Sequence, residues 1–244
     1  MEQLLHQIAA GLATGGVYAS LALALVMIYQ ATHHVNFAQG EMAMCSTYLA
    51  WSLITAGMPY WLAFIVTVVI SFFFGMGIER VLIRRVENAP VLSVVIVFIG
   101  MQFILNSLAG WVFGYTIQQF PSPFPEEPPF GNPYINSHEL GIVVVTFLVV
   151  GMLWAFFRFT SAGLALRGAA ANSDSAALCG IRVGSMLALG WGLAAAIGAV
   201  AGMLIAPVVF LDPNMMGGIL IYAFAAALMG GIDSPVGAVI GGFS

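Results

Sequence analysis

The chain has 244 residues, of which 61% are hydrophobic and only 7% are charged, and its mean hydropathy is +1.02. Soluble domains carry about 25% charged residues, so this composition excludes an ordinary water-soluble domain and predicts a surface that faces lipid. The formal net charge of −4 is small and its charges are scattered, which argues against a nucleic-acid-binding protein.

Apolar stretches of spanning length recur along the chain and predict an all-α, polytopic transmembrane helix bundle. A helix rises about 1.5 Å per residue, so about 20 residues cross a hydrocarbon core about 30 Å thick. The stretches at 41–57 and 215–232 are short, and each is a candidate for a tilted, broken or re-entrant piece. The sequence therefore predicts one transmembrane domain over residues 1–244, with about seven spans and part of an eighth: 8–29, 41–57, 60–78, 91–115, 140–157, 185–211, 215–232 and 236–244.

The basic residues predict the orientation of these spans. They form two groups, one between the third and fourth stretches and one between the fifth and sixth: Arg80, Arg84, Arg85, Arg158, Arg167 and Arg182. The segment 116–139 carries Glu126, Glu127 and Glu139 and no basic residue. Arginine-rich loops stay in the cytoplasm, so we expect both groups and residues 30–40 inside, and the segment 116–139 outside.

Several kinds of catalytic and metal site are missing from the sequence. A phosphate-binding P-loop needs a lysine that reaches the β- and γ-phosphates, and all six basic residues of this chain are arginine. No zinc-ligand spacing occurs either. His33 and His34 are adjacent, which puts their side chains about 100° apart on a helix. We interpret them as polar residues of a cytoplasmic turn rather than as metal ligands.

A short polar segment, Asn36-Phe37-Ala38-Gln39-Gly40-Glu41, opens directly onto the second apolar stretch. Its side chains Asn36, Gln39 and Glu41 would each cost several kcal/mol if left unpaired in hydrocarbon. Two interpretations follow: they lie at the membrane interface as caps, or they line a water-filled path inside the bundle.

The predicted cytoplasmic segment 160–183 is longer than a simple connection needs. It is rich in alanine and leucine and poor in charge, which favours helix. Asn172 and Ser173 are suited to cap a second short helix, and Gly180 is suited to end it. This pattern predicts a small helical hairpin that serves as a docking surface for a partner; the alternative is an amphipathic helix lying on the membrane surface.

Small residues recur every fourth position on the sixth stretch, at Gly190, Ala194, Gly198 and Gly202. Such stripes let helix backbones approach closely within a membrane. The stripe predicts packing within this bundle or an interface with a second subunit. Asp212 and Asp233 lie in predicted turns, where we interpret them as turn and cap residues rather than as a proton relay.

Taken together, these motifs resemble the membrane permease of branched-chain amino-acid ABC importers, and the resemblance covers essentially the whole chain. The polar segment at Asn36–Glu41 resembles the family motif N-F-A-H-G-E, with Gln39 in place of the histidine. Ile78-Glu79-Arg80 resembles I-E-R, and Gly230–Gly237 resembles G-G-I-G-S-x-x-G. The segment from Gly163 to Ile181 resembles the family's coupling loop, with Leu164 where an arginine is usual.

The resemblance implies a transport subunit of the bacterial cytoplasmic membrane and not an enzyme. It implies a second permease subunit, two cytoplasmic ATPases that bind the ATP, and an extracytoplasmic solute-binding protein that docks on the acidic segment from Pro121 to Glu139. The coupling loop at 160–183 would insert into the ATPase, and Asn36, Gln39 and Glu41 would line the translocation path. The coupling residues it implies are Gly163, Arg167, Asp174, Ala177, Gly180 and Ile181.

Two other classes of protein remain open at this point. An ion-coupled secondary transporter would need acidic residues within its spans, and the middle of these spans is nearly free of them. The residues at 236–244 form only the beginning of a helix, so an inactive truncated membrane protein is the second alternative.

Overall fold

The computed structural model describes residues 2–32, 34–86, 89–125 and 136–244. Most of them are helical, and their only β pairing is an isolated bridge between Gln118 and Leu211. The predicted all-α bundle is therefore confirmed. A π-helical turn, Glu79–Ile83, joins α3 to α4, and the helices in chain order are α1 Glu2–Thr32, α2 Gln39–Thr55, α3 Tyr60–Ile78, α4 Arg84–Val86, α5 Val91–Phe113, α6 Ser137–Phe159, α7 Ser161–Ala171, α8 Ser173–Leu178, α9 Val183–Val209, α10 Met216–Gly230 and α11 Pro235–Phe243.

Helices α1 and α9 form the centre of the bundle. In their most apolar stretches 78% and 72% of the residues are buried, against 22% to 28% in α3, α5 and α6. The outer faces of those three helices carry large exposed apolar side chains, such as Phe73, Phe103 and Phe147. Apolar faces of this kind belong against lipid rather than water, as the composition of the chain predicts.

The small residues of α9 pack against α2. A Cβ atom added at Gly198 would lie 2.7 Å from Gln39 Nε2, and one added at Gly202 would lie 2.3 Å from Thr47 Oγ1 and 2.9 Å from the Ala43 carbonyl oxygen. At Gly202 a larger residue would collide with the backbone of α2, and at Gly198 it would displace the Gln39 side chain. Of the two interpretations of the stripe, the structure supports packing within the chain at these two glycines.

The predicted number of spans is not confirmed. Within the described residues, five helices are long and apolar enough to cross a membrane, or six if the bent pair α10 and α11 is one broken span. These two helices meet at an angle of 119°, around Gly231 with its positive φ of 96°. The stretch 41–57 forms α2, which has 17 residues and is therefore about 25 Å long, shorter than the hydrocarbon core.

Residues that the sequence assigns to one side of the membrane lie together at one end of the bundle. At one end Gln118 pairs with Leu211, joining the segment after α5 to the end of α9. At the other end Gln30 Nε2 donates to the Asp233 carbonyl at 2.7 Å. All six arginines belong to segments at this second end, which also carries α7 and α8; we call it the hairpin end.

Part of the predicted outer segment packs over the opposite end. Ser122 Oγ lies 3.0 Å from His138 Nδ1, and His138 Nε2 lies 3.0 Å from the Leu204 carbonyl oxygen. Because a carbonyl only accepts, Nε2 donates to Leu204. The ring of Phe124 fills the space beside Gly141, where a Cβ would lie 2.2 Å from it. Glu126 and Glu127 lie outside the described residues.

Candidate functional site

The segment 160–183 folds as two short helices, as predicted. Thr160 Oγ1 accepts a hydrogen bond from the Gly163 N–H at 2.9 Å and caps α7. Asn172 Oδ1 accepts from the Ser175 N–H at 2.8 Å and caps α8, which is the cap that the sequence indicates. Gly180 has a φ of 83° just after α8, where only glycine adopts that conformation without strain. We call α7, α8 and the residues to Ile181 the hairpin.

The hairpin has one face packed on the bundle. Gly163, Leu166 and Ala169 recur every third residue and are buried. A Cβ added at Gly163 would lie 2.4 Å from the Phe156 carbonyl oxygen, so α7 turns back directly against the end of α6. Leu166 is 5% exposed and contributes to this packed face, which fixes the hairpin on the bundle.

The other face of the hairpin is open. Leu164 and Leu178 are 64% and 89% exposed, which is costly in water unless a partner or lipid covers them. A shallow groove on this face is lined by Ser161, Leu164, Ala165, Arg167, Gly168 and Ile181. Of the predicted coupling residues, Gly163 is buried and Ile181 is half-buried, and the exposed ones are Arg167, Asp174, Ala177 and Gly180.

A cavity of about 370 Å³ lies between the hairpin and the bundle. Its walls come from the ends of α1 and α3, the starts of α5 and α9, and the connection between α7 and α8. They combine polar and apolar side chains: Thr32, His34, Glu79, Ile83, Val94, Phe98, Asn172, Ser173, Asp174, Val183 and Leu187, with Ala169 to Ala171. The hairpin therefore borders a space that leads into the bundle.

The polar segment before α2 lies inside the bundle. Asn36 and Gln39 are fully buried, and Glu41 is 6% exposed. Gln39 Nε2 donates to the Ala194 carbonyl at 2.9 Å, and Asn36 Nδ2 donates to Gln39 Oε1 at 3.3 Å. Because Ala194 is near the middle of α9, α2 begins midway along that helix and inside the bundle.

This burial argues against one of the two interpretations of the polar segment, namely that its side chains are caps at the membrane interface. Asn36 Oδ1 accepts from the Ala38 N–H at 3.0 Å, but no side chain caps the first turn of α2. Asn36, Gln39 and Glu41 are therefore not interfacial caps. Their hydrogen-bonding groups meet other protein groups in the interior, as buried polar groups require.

Asn106 completes this cluster and was not predicted. Its Nδ2 lies 3.3 Å from Glu41 Oε2, 2.8 Å from the Pro213 carbonyl oxygen and 3.3 Å from Asn214 Oδ1. It thereby connects α5 to α2 and to the loop before α10. The signal was present, since Asn106 is one of the few polar residues within a mostly apolar stretch of spanning length.

Two stacked rings lie between the cavity and the polar cluster. Phe98 lines the cavity, and its ring stacks on that of Trp191 with centroids 5.9 Å apart. Trp191 is fully buried and is placed along α9 between Leu187, which lines the cavity, and Ala194, which binds Gln39. The cavity and the cluster are thus separated along α9 by one aromatic layer.

The structure gives no support for a metal site. Among the described residues, no group of three or more His, Cys, Asp or Glu side chains is placed to hold a metal ion. His34 lines the cavity, and His33 lies outside the described residues. Asp212 accepts from the Asn214 N–H, as expected of a turn residue.

Comparison with known proteins identifies the family. The family model for the permease component of branched-chain amino acid transport systems matches residues 7–244. The chain is 33% identical, over 98% of its length and 82% of that protein, to the high-affinity branched-chain amino acid transport system permease protein LivH of Escherichia coli K12. It is 32% identical, with the same coverage, to the corresponding permease protein BraD of Pseudomonas aeruginosa.

A more distant relative is the probable branched-chain amino acid transport permease protein LivH of Methanocaldococcus jannaschii, 28% identical over 91% of this chain and 73% of that protein. No solved structure matches the chain significantly. The bundle, its lipid-facing helices and these matches agree: the chain is a multi-pass membrane protein and belongs to the family of permease components of branched-chain amino acid transport systems.

Proposed function

We propose that the chain is the membrane-spanning subunit of an ATP-driven importer that carries branched-chain amino acids across the bacterial cytoplasmic membrane. The match to the permease family over residues 7–244 carries this proposal. The chain acts as a transport subunit and holds no cofactor of its own. A second permease subunit, two ATPases and an extracytoplasmic solute-binding protein complete the importer.

The hairpin is the surface that receives the ATPase. It lies at the end of the bundle that carries all six arginines, which is the cytoplasmic end by the positive-inside rule. Its open face offers apolar area at Leu164 and Leu178 together with the charge of Arg167. Apolar contact around an arginine is typical of protein interfaces.

The translocation path runs past Asn36, Gln39 and Glu41, with Asn106 beside them. These side chains lie inside the bundle, and the cavity on the hairpin end reaches towards them as far as the Phe98–Trp191 stack. Moving that stack aside would join the cavity to the polar cluster. The acidic segment from Pro121 to Glu139 is the docking surface for the solute-binding protein.

Uptake by a reconstituted importer tests this function. Proteoliposomes containing the chain with its second permease, ATPase and binding protein are given labelled leucine. We expect uptake that requires ATP on the side of the membrane where the ATPase lies. This uptake should persist when ionophores collapse the proton and sodium gradients. Uptake driven by an ion gradient without ATP would identify a secondary transporter and contradict the proposal.

A further inference from the structure

The hairpin end of α3 has an unusual backbone. The five residues Glu79–Ile83 form a π-helical turn between α3 and α4. Such turns are rare and occur frequently at functional sites, because they insert a residue into a helix and change the direction of its side chains. Here the turn places the Glu79 side chain in the interior with 1% exposure, on the wall of the cavity beside the hairpin.

Arg84 holds this buried carboxylate through two hydrogen bonds. Its Nε donates to Glu79 Oε1 at 3.1 Å, and its Nη2 donates to Oε2 at 3.0 Å. Paired contacts of this kind fix both distance and orientation. The same Nη2 also donates to the Gly184 carbonyl at 2.6 Å, so one guanidinium joins the end of α3 to the first turn of α9.

The bond to Gly184 lies where the hairpin enters α9. After α8 the chain runs through Gly180, Ile181 and Arg182 to α9, and Gly184 is the second residue of α9. Any displacement of the hairpin therefore reaches α9 at the turn that Arg84 holds. Arg85 is a neighbouring exposed arginine, and among the described residues it has no ion pair.

Further along, α3 and α9 are in backbone contact. A Cβ atom added at Gly75 would lie 2.5 Å from the Trp191 carbonyl oxygen, and one added at Gly192 would lie 2.9 Å from the Phe72 carbonyl oxygen. The two helices thus have little freedom to slide apart in the middle. Arg84 closes the same pair of helices at the hairpin end.

We propose that the Glu79–Arg84 pair is a coupling clamp, which binds the first turn of α9 to the π-helical turn of α3 so that movement of the hairpin displaces both helices together. Glu79 and Arg84 are positioning residues in this role, since they act through α9. The inference rests on the proposed function, because it requires an ATPase that moves the hairpin.

The test measures uptake and ATP hydrolysis together in the complete reconstituted importer. In Arg84→Gln and Glu79→Gln we expect hydrolysis to continue while uptake per ATP falls by at least about fivefold, the scale of a typical coupling between sites. The double variant should be no worse than either single variant, because the two residues act as one unit. Arg84→Lys should be intermediate, since an ammonium lacks the paired geometry.

Two further variants control for folding and charge. Arg85→Gln removes the same charge from the same segment and should keep the wild-type ratio of uptake to hydrolysis. Gly184→Ala keeps every charge and suits a helix, but its Cβ would lie 3.1 Å from Arg84 Nη2; it should lower the ratio in the same direction.

Parallel loss of uptake and hydrolysis at an unchanged ratio in all the clamp variants would overturn the proposal and leave the pair a structural contact. A wild-type importer in which the binding protein and substrate fail to stimulate ATP hydrolysis would instead contradict the proposed function itself. The two failures are therefore distinguishable within one set of measurements.

Discussion

The most informative single residues are polar side chains buried among apolar helices. Asn36, Gln39 and Glu41 could be selected from the sequence because they stand together before an apolar stretch. Their depth within the bundle could not be predicted. It depends on the chain turning back into the bundle after α1 and on a carbonyl of α9 that accepts a hydrogen bond from Gln39. Asn106 was missed because it belongs to no recognisable motif in its stretch, and only the fold brings it to Glu41.

Alanine substitutions test the path at this scale. Asn36→Ala and Glu41→Ala remove polar groups from the proposed path, and we expect each to lower the rate of ATP-driven leucine uptake by about tenfold, equivalent to about 1.4 kcal/mol. Ser46→Ala is the matched control: Ser46 is also buried on α2, but its Oγ accepts from Ser71 on α3 at 2.8 Å. Wild-type uptake in both path variants would remove these residues from the path.

At the scale of elements, the hairpin was predictable, whereas for 41–57 and 215–232 their short length indicated only that each could be tilted, broken or re-entrant. The hairpin has local causes: alanine-rich sequence, an Asn172 cap and a glycine after α8. The short α2 and the bend between α10 and α11 have long-range causes. Gly242 packs against Ala19 of α1: a Cβ atom added at Gly242 would lie 2.4 Å from the Cα atom of Ala19. No local sequence pattern predicts such a contact.

The hairpin also makes a prediction for the element as a whole. Ala170→Pro removes a backbone donor near the end of α7 and clashes with the preceding turn, at a cost of about 3 kcal/mol. Uptake should be lost while the amount of protein inserted in the membrane stays normal. Arg167→Glu should have the same effect through charge, because Arg167 lies on the open face.

Ser161→Pro is the control for the backbone change. Ser161 is the first residue of α7, where proline is well tolerated, and Thr160 before it is already extended, with φ of −106° and ψ of 145°. We expect normal uptake in this variant. Normal uptake in Ala170→Pro and Arg167→Glu as well would show that the hairpin does not transmit energy.

At the scale of the whole molecule, composition and arginine positions were sufficient for a lipid-facing bundle with two distinct ends. The number of spans was not predictable from hydropathy, because packing within the bundle determines where α2 begins and where α10 and α11 bend. The central helix α9 is about as hydrophobic as the peripheral helices α3 and α5, so hydropathy does not show that it lies at the centre of the bundle.

We propose that energy enters this bundle through contact between the hairpin and an ATPase. Photo-cross-linking from position Leu178, which is 89% exposed on the hairpin, tests that contact directly in the assembled importer. Position Leu148, which is 58% exposed on α6, serves as the lipid-facing control. We expect a cross-link to the ATPase from Leu178 and none from Leu148; a cross-link from Leu178 to lipid alone would show that the hairpin does not contact the ATPase.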